Sequence, residues 1–596
     1  MNLPIDNEQR VKALDPSCSV CVTAPAGSGK TELLSQRVLR LLATVGQPEE
    51  ILAITFTRKA AAEMHHRIIQ ALRDASTLDQ PHQSHKLLSW QLARQVLDRD
   101  QEHGWSLLEN TGRLKIQTID SLSAHLTRQM PILSNFGAQP KISEYPQQCY
   151  RAAVHGFLDY LETDTVYADD LSNLLTHVDN NIGRLERLLI TMLQRRDQWL
   201  LHIGLGANSD SAKHKLENTL KRIIEDVLDS LHQSLSGLAA ELLPLLDYAG
   251  CNLRWQNSES VASCLAGIVE LPGSESVSNN VSEWKAIAEL LLTGKGEWRK
   301  TVNVKSGFPT ETQDGDKALA KSLKTNFTAL LQDLRSNDEL REKLNELRNL
   351  PQGHFDRSQW QLLESLTRIL PALVAQLMTE FQQRGEVDFS QFSMAALDAL
   401  GDGLNPTELA LKLDHQLRHI LVDEFQDTSS SQFRLLQSLL EGWQEANRND
   451  PNNPRTVFIV GDGMQSIYGF REANVGLFLE ARRLGVNGVT LVDCPLHTNF
   501  RSDPTIVEWI NETFSYAFPQ VENRSRGAVP HETAIAFNPI DSSSEVKLFG
   551  FTGDDAQLAE AGKTVALIEA AQLVDPEGSI AILVRSRGHL KAIIPA

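Results

Sequence analysis

Within the first 42 residues a short apolar strand runs through a glycine-spaced turn into a helix headed by lysine, an order that few folds accommodate. Ser19 to Ala24 (SVCVTA) is β-rich, and Pro25 to Gly29 is a turn of small residues. Lys30 to Leu42 places Leu34, Val38, Leu41 and Leu42 at helical spacing. A phosphate-binding loop works in this setting. Gly27 and Gly29 let bare backbone N–H groups approach phosphate, and the helix amino end adds favourable partial charge. In Ala24-Pro25-Ala26-Gly27-Ser28-Gly29-Lys30-Thr31, Lys30 is expected to reach the β- and γ-phosphates of a nucleoside triphosphate. The Thr31 hydroxyl is expected to hold Mg²⁺. The strict pattern has glycine where Ala24 stands, and a small-residue turn before an ordinary helix is the competing reading.

Such a loop needs carboxylates on a neighbouring strand. Ile420-Leu421-Val422-Asp423-Glu424 supplies two of them where an apolar strand ends. Asp423 is expected to hold Mg²⁺ through its water shell, because that ion takes few carboxylates and keeps several waters. Glu424 is expected to orient and deprotonate an attacking water. Taken alone, the segment reads equally well as an exposed acidic strand end.

Further strands are expected at Ile51 to Thr57, Arg418 to Glu424, Thr456 to Asp462, Val489 to Asp493, Val546 to Phe551 and Ser579 to Val584, with a helix from Lys59 to Leu72. Strands alternating with helices imply an α/β fold with a parallel sheet. Between the two strand-rich blocks the pattern is mostly helical. Leu185, Leu188, Leu189, Met192 and Leu193 share one helical face. Leu216, Leu220, Ile223, Ile224, Val227 and Leu231 share another. Gly273 to Asn280 (GSESVSNN) reads as a surface loop or linker.

Composition narrows the class. A length of 596 residues suggests several domains at about 150 residues each. With 41% hydrophobic and 22% charged residues the chain is an ordinary globular one. No uninterrupted apolar run is long enough to span a bilayer, so no membrane partner is expected. The opening MNLPIDNEQR lacks a secretory pattern, and six scattered cysteines are no disulfide framework, which together fit a cytoplasmic location. The net charge of −19 leaves room for a local basic track on nucleic acid. Cys18 and Cys21, three apart on a strand, would point to opposite faces and share no metal. His415 and His419 lack the intervening glutamate of a zinc helix, so a solvated or capping role is expected for them.

Asp423-Glu424-Phe425-Gln426-Asp427-Thr428 resembles the Walker B motif of superfamily-1 DNA helicases of the UvrD/Rep/PcrA type. The stretch Ile54 to Met64 looks like motif Ia, Val460 to Arg471 like motif III, and Asn499-Phe500-Arg501-Ser502 like motif IV. Gln9 fits the adenine-reading glutamine of the Q motif. The resemblance implies that ATP binds with Mg²⁺ between Lys30, Thr31, Asp423 and Glu424. Gln9 would read the adenine edge and Phe500 stack on its face. Gln426 and Gln465 would sense the γ-phosphate, Arg501 would act as an arginine finger, and Arg471 would form a second link from motif III to the nucleotide. Phe56, Tyr468 and Phe470 would stack bases of single-stranded DNA, with Thr57, Lys59 and Thr118 on its backbone. Where the family usually has Thr-x-His, this chain has Thr118-Ile119-Asp120, and a carboxylate near phosphate repels it.

The same resemblance implies a RecA-like domain over residues 1–135 and 386–503, split by a helical insertion over 136–385, and the start of a second RecA-like domain over 504–596. The long insertion, Val387-Asp388-Phe389-Ser390, and the stretch Leu291-Leu292-Thr293 to Trp298-Arg299-Lys300 with Gly307-Phe308-Pro309 point to the AddA/RecB-like branch. Members of that branch process DNA ends, often carry a nuclease domain, and pair with a partner subunit. The expected activity is 3′-to-5′ helicase and translocase action on single-stranded and duplex DNA, in break repair or recombination. Motifs V and VI are not found before Ala596, so weak ATP binding and poor hydrolysis are expected of residues 1–596 alone. The competing reading is a non-motor DNA- or subunit-binding scaffold with an incomplete ATP site. Lys30→Ala separates the two: a motor loses its biological role in a DNA-damage complementation assay, whereas a scaffold retains it.

Overall fold

Three strands near the amino end, β1 (Val20–Thr23), β2 (Ile51–Thr55) and β3 (Lys115–Thr118), are joined in one sheet by strands from much later in the chain. In the computed structural model the chain is described over residues 3–595, except 78, 82–83, 131–140, 163–165, 201–202, 204–208, 257–258, 274–276, 313–314, 351–353, 402–404, 470–472, 521, 523–526 and 541–544. A two-residue pair, β4 (Lys141–Ile142) beside β5 (Glu386–Val387), stands apart from that sheet. The later strands are β6 (His419–Val422), β7 (Thr456–Gly461) and β8 (Val492–Asp493). The order is β3-β2-β6-β7-β1-β8, parallel throughout. A second small pair joins β9 (Thr498–Asn499) to β10 (Ile535–Ala536).

Residues of β1, β2, β6 and β7 are buried on both faces, which explains their continuous apolar runs. Successive side chains enter opposite cores. Val20, Val22, Ile51, Ala53, Leu421, Phe458 and Val460 face the helices Lys30–Leu42, Arg58–Thr77 and Ser84–His103. Cys21, Leu52, Ile54, Ile420, Val422, Val457 and Ile459 face Ile119–Gln129, Phe389–Leu400, Ser430–Leu439 and Val475–Leu484. Cys18 packs against the first of these cores and Cys21 lies in the second, so the two thiols lie on opposite sides of the sheet.

The helical insertion holds two cores of its own. One combines residues 149–193 with 369–392, and the other spans 224–347. The chain leaves for the insertion beside β4 and returns beside β5. At that neck Asp388 is fully buried and takes two hydrogen bonds from the Arg196 guanidinium, at 2.7 and 2.5 Å, and one from the Tyr150 hydroxyl. Removing one partner would strand a buried charge, at about 3–5 kcal/mol. Helix Arg357–Arg384 has the length and mean hydropathy to cross a membrane, yet Ile369, Leu370, Leu373, Leu377 and Phe381 lie inside the insertion core.

Several expectations are corrected. Val546 to Phe551 and Ser579 to Val584 form no strand and are largely exposed, because among the described residues no strand pairs with them. Only Val492–Asp493 of Val489 to Asp493 is strand. Helix Val277–Leu291 begins inside the segment read as a linker. Leu188, Leu216 and Ile223 are exposed, so the buried stripes are narrower than their spacing implied. His419 is buried: its Nδ1 lies 2.8 Å from the Thr456 hydroxyl, and burial holds its pKa down at about 3.

Gly307 takes φ +82°, and a Cβ there would stand 2.4 Å from the Ala249 carbonyl oxygen. Gly307→Ala is therefore expected to destabilise the insertion core by about 2–4 kcal/mol. Urea unfolding measures it, and a change within 0.5 kcal/mol, about the size of a neutral surface substitution, refutes the packing described.

Candidate nucleotide site and nucleic-acid interface

Parallel strands ending at one edge bring their following loops together. After β1, Ala24 N–H donates to the Gly461 carbonyl of β7. Gly27 and Gly29 both take φ +78°, a conformation other residues resist. Gly29 caps helix Lys30–Leu42 without a side-chain acceptor, which leaves first-turn N–H groups to an external partner. Ala24, Pro25 and Ser28 are buried, Ala26 is exposed, and Thr31 is half-buried. Among the described residues the buried Ser28 Oγ has no hydrogen-bond partner. A loop with this many spare donors fits a polyphosphate.

Opposite it, β6 delivers Asp423 and Glu424. Lys30 Nζ lies 3.2 Å from Glu424 Oε2. Glu424 holds φ +51°, an uncommon strain for a non-glycine residue, and its N–H donates to Asp423 Oδ1. Asp423 is pushed up to about 6, first by burial and then by the charge of Glu424, with Lys30 pulling the other way. Asp427 rises to about 6 and Asp462 rises too, both chiefly by burial. The charges of Glu424 and Lys30 act on all three carboxyls, and among the described residues no group of three or more acidic, His or Cys side chains is arranged to hold a metal ion.

A polar chain leads away from Glu424. Gln426 Nε2 donates to Glu424 Oε2 at 2.8 Å, and Gln426 Oε1 accepts the buried Asp462 N–H at 2.9 Å. Gln465 Nε2 donates to Asp462 Oδ2 at 2.5 Å, and the Ser466 hydroxyl donates to Asp427 at 3.2 Å. Two residues further on, the Tyr468 ring lies 4.6 Å from the Phe56 ring, tilted by 41°, both half-buried. The hydrogen bonds thus run from Glu424 to Gln465, and the backbone from Gln465 to Tyr468 covers the remaining step to the aromatic pair.

On the third side, Phe500 N–H donates to the Gly27 carbonyl at 2.8 Å, and Asn499 Nδ2 donates to Ala26 at 3.1 Å. Asn499 Oδ1 accepts the N–H groups of Arg501 and Ser502, so the Arg501 backbone is held against the loop while its side chain is exposed. Gln9 is half-buried on helix Asn7–Ala13.

The aromatic side is mixed. Lys59 is exposed, whereas Thr57 Oγ1 accepts the Ala60 N–H at the start of its helix. Thr118, expected on DNA, is buried, and its hydroxyl caps helix Ile119–Gln129 by accepting the Ser121 N–H. A small cavity beside Phe56 is lined by Asp120, Phe389, Ser390, Ser393 and Ser429. Phe470 and Arg471 lie outside the described residues. Asp6, Arg10 and Asn499 also shape the site. No motif marks Asp6 or Arg10, and Asn499 stood in a quoted motif without a role.

Residues 5–484 match the model of the UvrD/REP helicase N-terminal domain. Several relatives carry names that make each of them one subunit of an ATP-dependent helicase/nuclease. One, from Desulfitobacterium hafniense, is 27% identical over 90% of this chain and 37% of that protein. Another, from Clostridium acetobutylicum, is 24% identical over 93% of this chain and 44% of its own length. A third, from Staphylococcus carnosus, is 26% identical over 86% of this chain and 39% of its own. The chain thus spans roughly two fifths of the length of these relatives.

A Cβ at Gly461 would stand 2.6 Å from Gln426 Oε1. Gly461→Ala should expel that amide and leave the buried Asp462 N–H without its acceptor, at about 1–3 kcal/mol. Gln426→Ala should cost a similar amount. In the double variant the costs should not add, since the clash has gone. Thermal unfolding reads all three, and strict additivity refutes the linkage.

Proposed function

The chain belongs to the UvrD/REP helicase family, and on that premise we propose that it binds and hydrolyses ATP to drive movement along DNA. The observation carrying this reading is the 3.2 Å approach of Lys30 to Glu424, with buried Asp423 beside them, at the edge where β1 and β6 end. Lys30 reaches the β- and γ-phosphates, and the N–H groups after Gly27 cradle them. Glu424 orients and deprotonates the attacking water. Thr31 and Asp423 hold Mg²⁺, which when bound offsets phosphate charge. Gln9 reads the adenine edge, Phe500 stacks on it, and Arg501 acts as an arginine finger, while the motif resemblance assigns Arg471 a second link from motif III to the nucleotide.

Gln426 and Gln465 respond to the γ-phosphate and pass the change through the hydrogen bonds at Asp462 and then along the backbone from Gln465 to Tyr468. Phe56 and Tyr468, with Phe470, receive the bases of single-stranded DNA, and Thr57 and Lys59 its backbone. The likeness to proteins named as helicase/nuclease subunits supports pairing with a partner subunit, and the resemblance of the motifs extends the reading to 3′-to-5′ polarity and a role in DNA-break repair or recombination. Residues 1–135 and 386–503 form the motor domain, 136–385 the insertion and 504–596 the beginning of the second motor domain in this reading.

Streptavidin displacement from single-stranded DNA labelled at either end tests polarity. A 3′-to-5′ motor clears the label from the 5′ end faster, and faster clearance from the 3′ end overturns that direction. Glu424→Gln should reduce hydrolysis by about 10²–10⁴-fold, the usual span for a lost general base, while ATP still binds. Retention of full hydrolysis excludes Glu424 as the base. Phe56→Ala with Tyr468→Ala should weaken oligo(dT) binding by roughly 1–3 kcal/mol for each base that loses a stacking partner, measured by fluorescence anisotropy. Unchanged binding removes the aromatic pair from the DNA path.

A further inference from the structure

Asp197 is 1% exposed, and among the described residues neither of its carboxylate oxygens has a hydrogen-bond partner. A carboxylate buried bare is a costly arrangement that folding by itself does not explain. Its neighbour Arg196 is already committed: that guanidinium bonds Asp388 at 2.7 and 2.5 Å, the Leu193 carbonyl at 3.0 Å and Gln391 at 3.4 Å. A second arginine reaches Asp197 from the other side. Arg434, on helix Ser430–Leu439, donates from Nη1 to the Asp197 carbonyl at 2.9 Å, so it grips the backbone and leaves the charge beside it unused.

The place of this contact matters. Asp197 stands on the short helix Arg196–Trp199 at the neck of the insertion, packed against helices Phe389–Leu400 and Ser430–Leu439. Helix Ser430–Leu439 follows directly on the acidic segment that holds Asp423, Glu424 and Asp427, and Ser429 caps it. Helix Phe389–Leu400 is capped by Asp388, which accepts the Gln391 N–H at 2.7 Å while Arg196 holds it. Both helices begin beside the aromatic pair: Phe389 and Ser390 from one, Ser429 and Gln432 from the other, line the cavity next to Phe56.

We propose that Arg434 is a positioning residue with two acceptors on Asp197, the carbonyl it holds and the carboxylate it can cross to, and that this exchange couples nucleotide at the phosphate loop to the grip on DNA at Phe56 and Tyr468. The inference rests on the ATP reading above. Nucleotide acting on Asp423 and Glu424 moves the start of the helix that follows them. A helix shift of about 1–2 Å, the ordinary scale at packed interfaces, with a turn of the arginine side chain, exchanges one oxygen for the other. The two arrangements are discrete, because one acceptor is neutral and the other is charged, and coupling between separated sites needs such a two-state element. The same shift alters the lining of the cavity beside Phe56.

The test measures oligo(dT) affinity of the whole chain by fluorescence anisotropy, with and without saturating Mg²⁺–ATPγS. In the unsubstituted chain the nucleotide should change that affinity by about 5-fold or more, the low end of ordinary coupling between sites. Arg434→Ala should cut the change to under about 2-fold while the affinity for each ligand alone stays within about 3-fold. Asp197→Asn keeps the carbonyl and the shape but removes the charge, so it should lose the change as well; a tie made only through the carbonyl would leave it intact. Arg434→Lys keeps a cation within reach of both oxygens and should retain the change, whereas the uncharged Arg434→Gln should not. An unaltered change in Arg434→Ala or in Asp197→Asn overturns the inference. So does a loss of ATPγS affinity in Arg434→Ala, which reduces Arg434 to a support for the fold. If Arg434→Ala fails to fold, Asp197→Asn decides alone. If the unsubstituted chain fails to bind ATPγS or oligo(dT), the reading above falls and takes the coupling with it; if it binds both and neither alters the other, the coupling alone falls.

Discussion

Parallel pairing is the constraint from which the site follows. Strands β1, β6 and β7 run in the same direction, so the segments after Thr23, Val422 and Gly461 leave the sheet at one edge. That edge brings together a lysine and a glutamate 394 residues apart in sequence. A parallel sheet must be covered on both faces, and the helices that cover it supply the connections that make such distant neighbours possible. The apolar character of the strands and the chemistry at their ends are therefore one requirement: burial selects the strands, and strand direction assembles the loops.

The same logic explains why a large helical insertion does not disturb the sheet. It departs and returns through adjacent short strands, and the Arg196–Asp388–Tyr150 cluster closes the neck. A buried ion pair is a poor way to gain stability, but it is strict about geometry, because its polar groups tolerate no looser arrangement. Arg434, on the helix that follows the acidic pair, donates to the Asp197 carbonyl next to Arg196. The insertion is thus tied to the sheet close to the place where the acidic strand ends.

What could be read from sequence followed burial. Strands with both faces covered announced themselves as apolar runs, and the glycine-spaced loop announced itself by the conformations it demands. Strand β3 did not: Lys115 and Gln117 interrupt it, and only Thr118 is buried. Val546 to Phe551 and Ser579 to Val584 show the opposite failure. Their composition favours strands, but a strand is a pairing and composition names no partner. His419 was misjudged for a related reason, since its hydrogen bond to Thr456 lies across the sheet from a residue 37 positions later. Asp6 and Arg10 show only the ordinary i,i+4 spacing of a helical ion pair, which names neither the Ser28 carbonyl nor the His497 and Thr498 N–H groups that anchor them.

Strain and charge at the acidic edge have a common origin. Asp423, Glu424, Asp427 and Asp462 crowd into a partly buried space, and three of the four carboxyls are pushed up. Glu424 escapes full burial by turning its backbone into the left-handed region, which carries its carboxylate to Lys30 and Gln426. Folding alone gives no reason to hold a non-glycine residue there at a cost of about 1–3 kcal/mol. Under the proposed reading, positive charge brought to Asp423 would relieve the repulsion, and phosphate at the loop would compete with Glu424 for Lys30. The raised carboxyls and the left-handed Glu424 thus lie at the same strand end, which is where the proposed function places its chemistry.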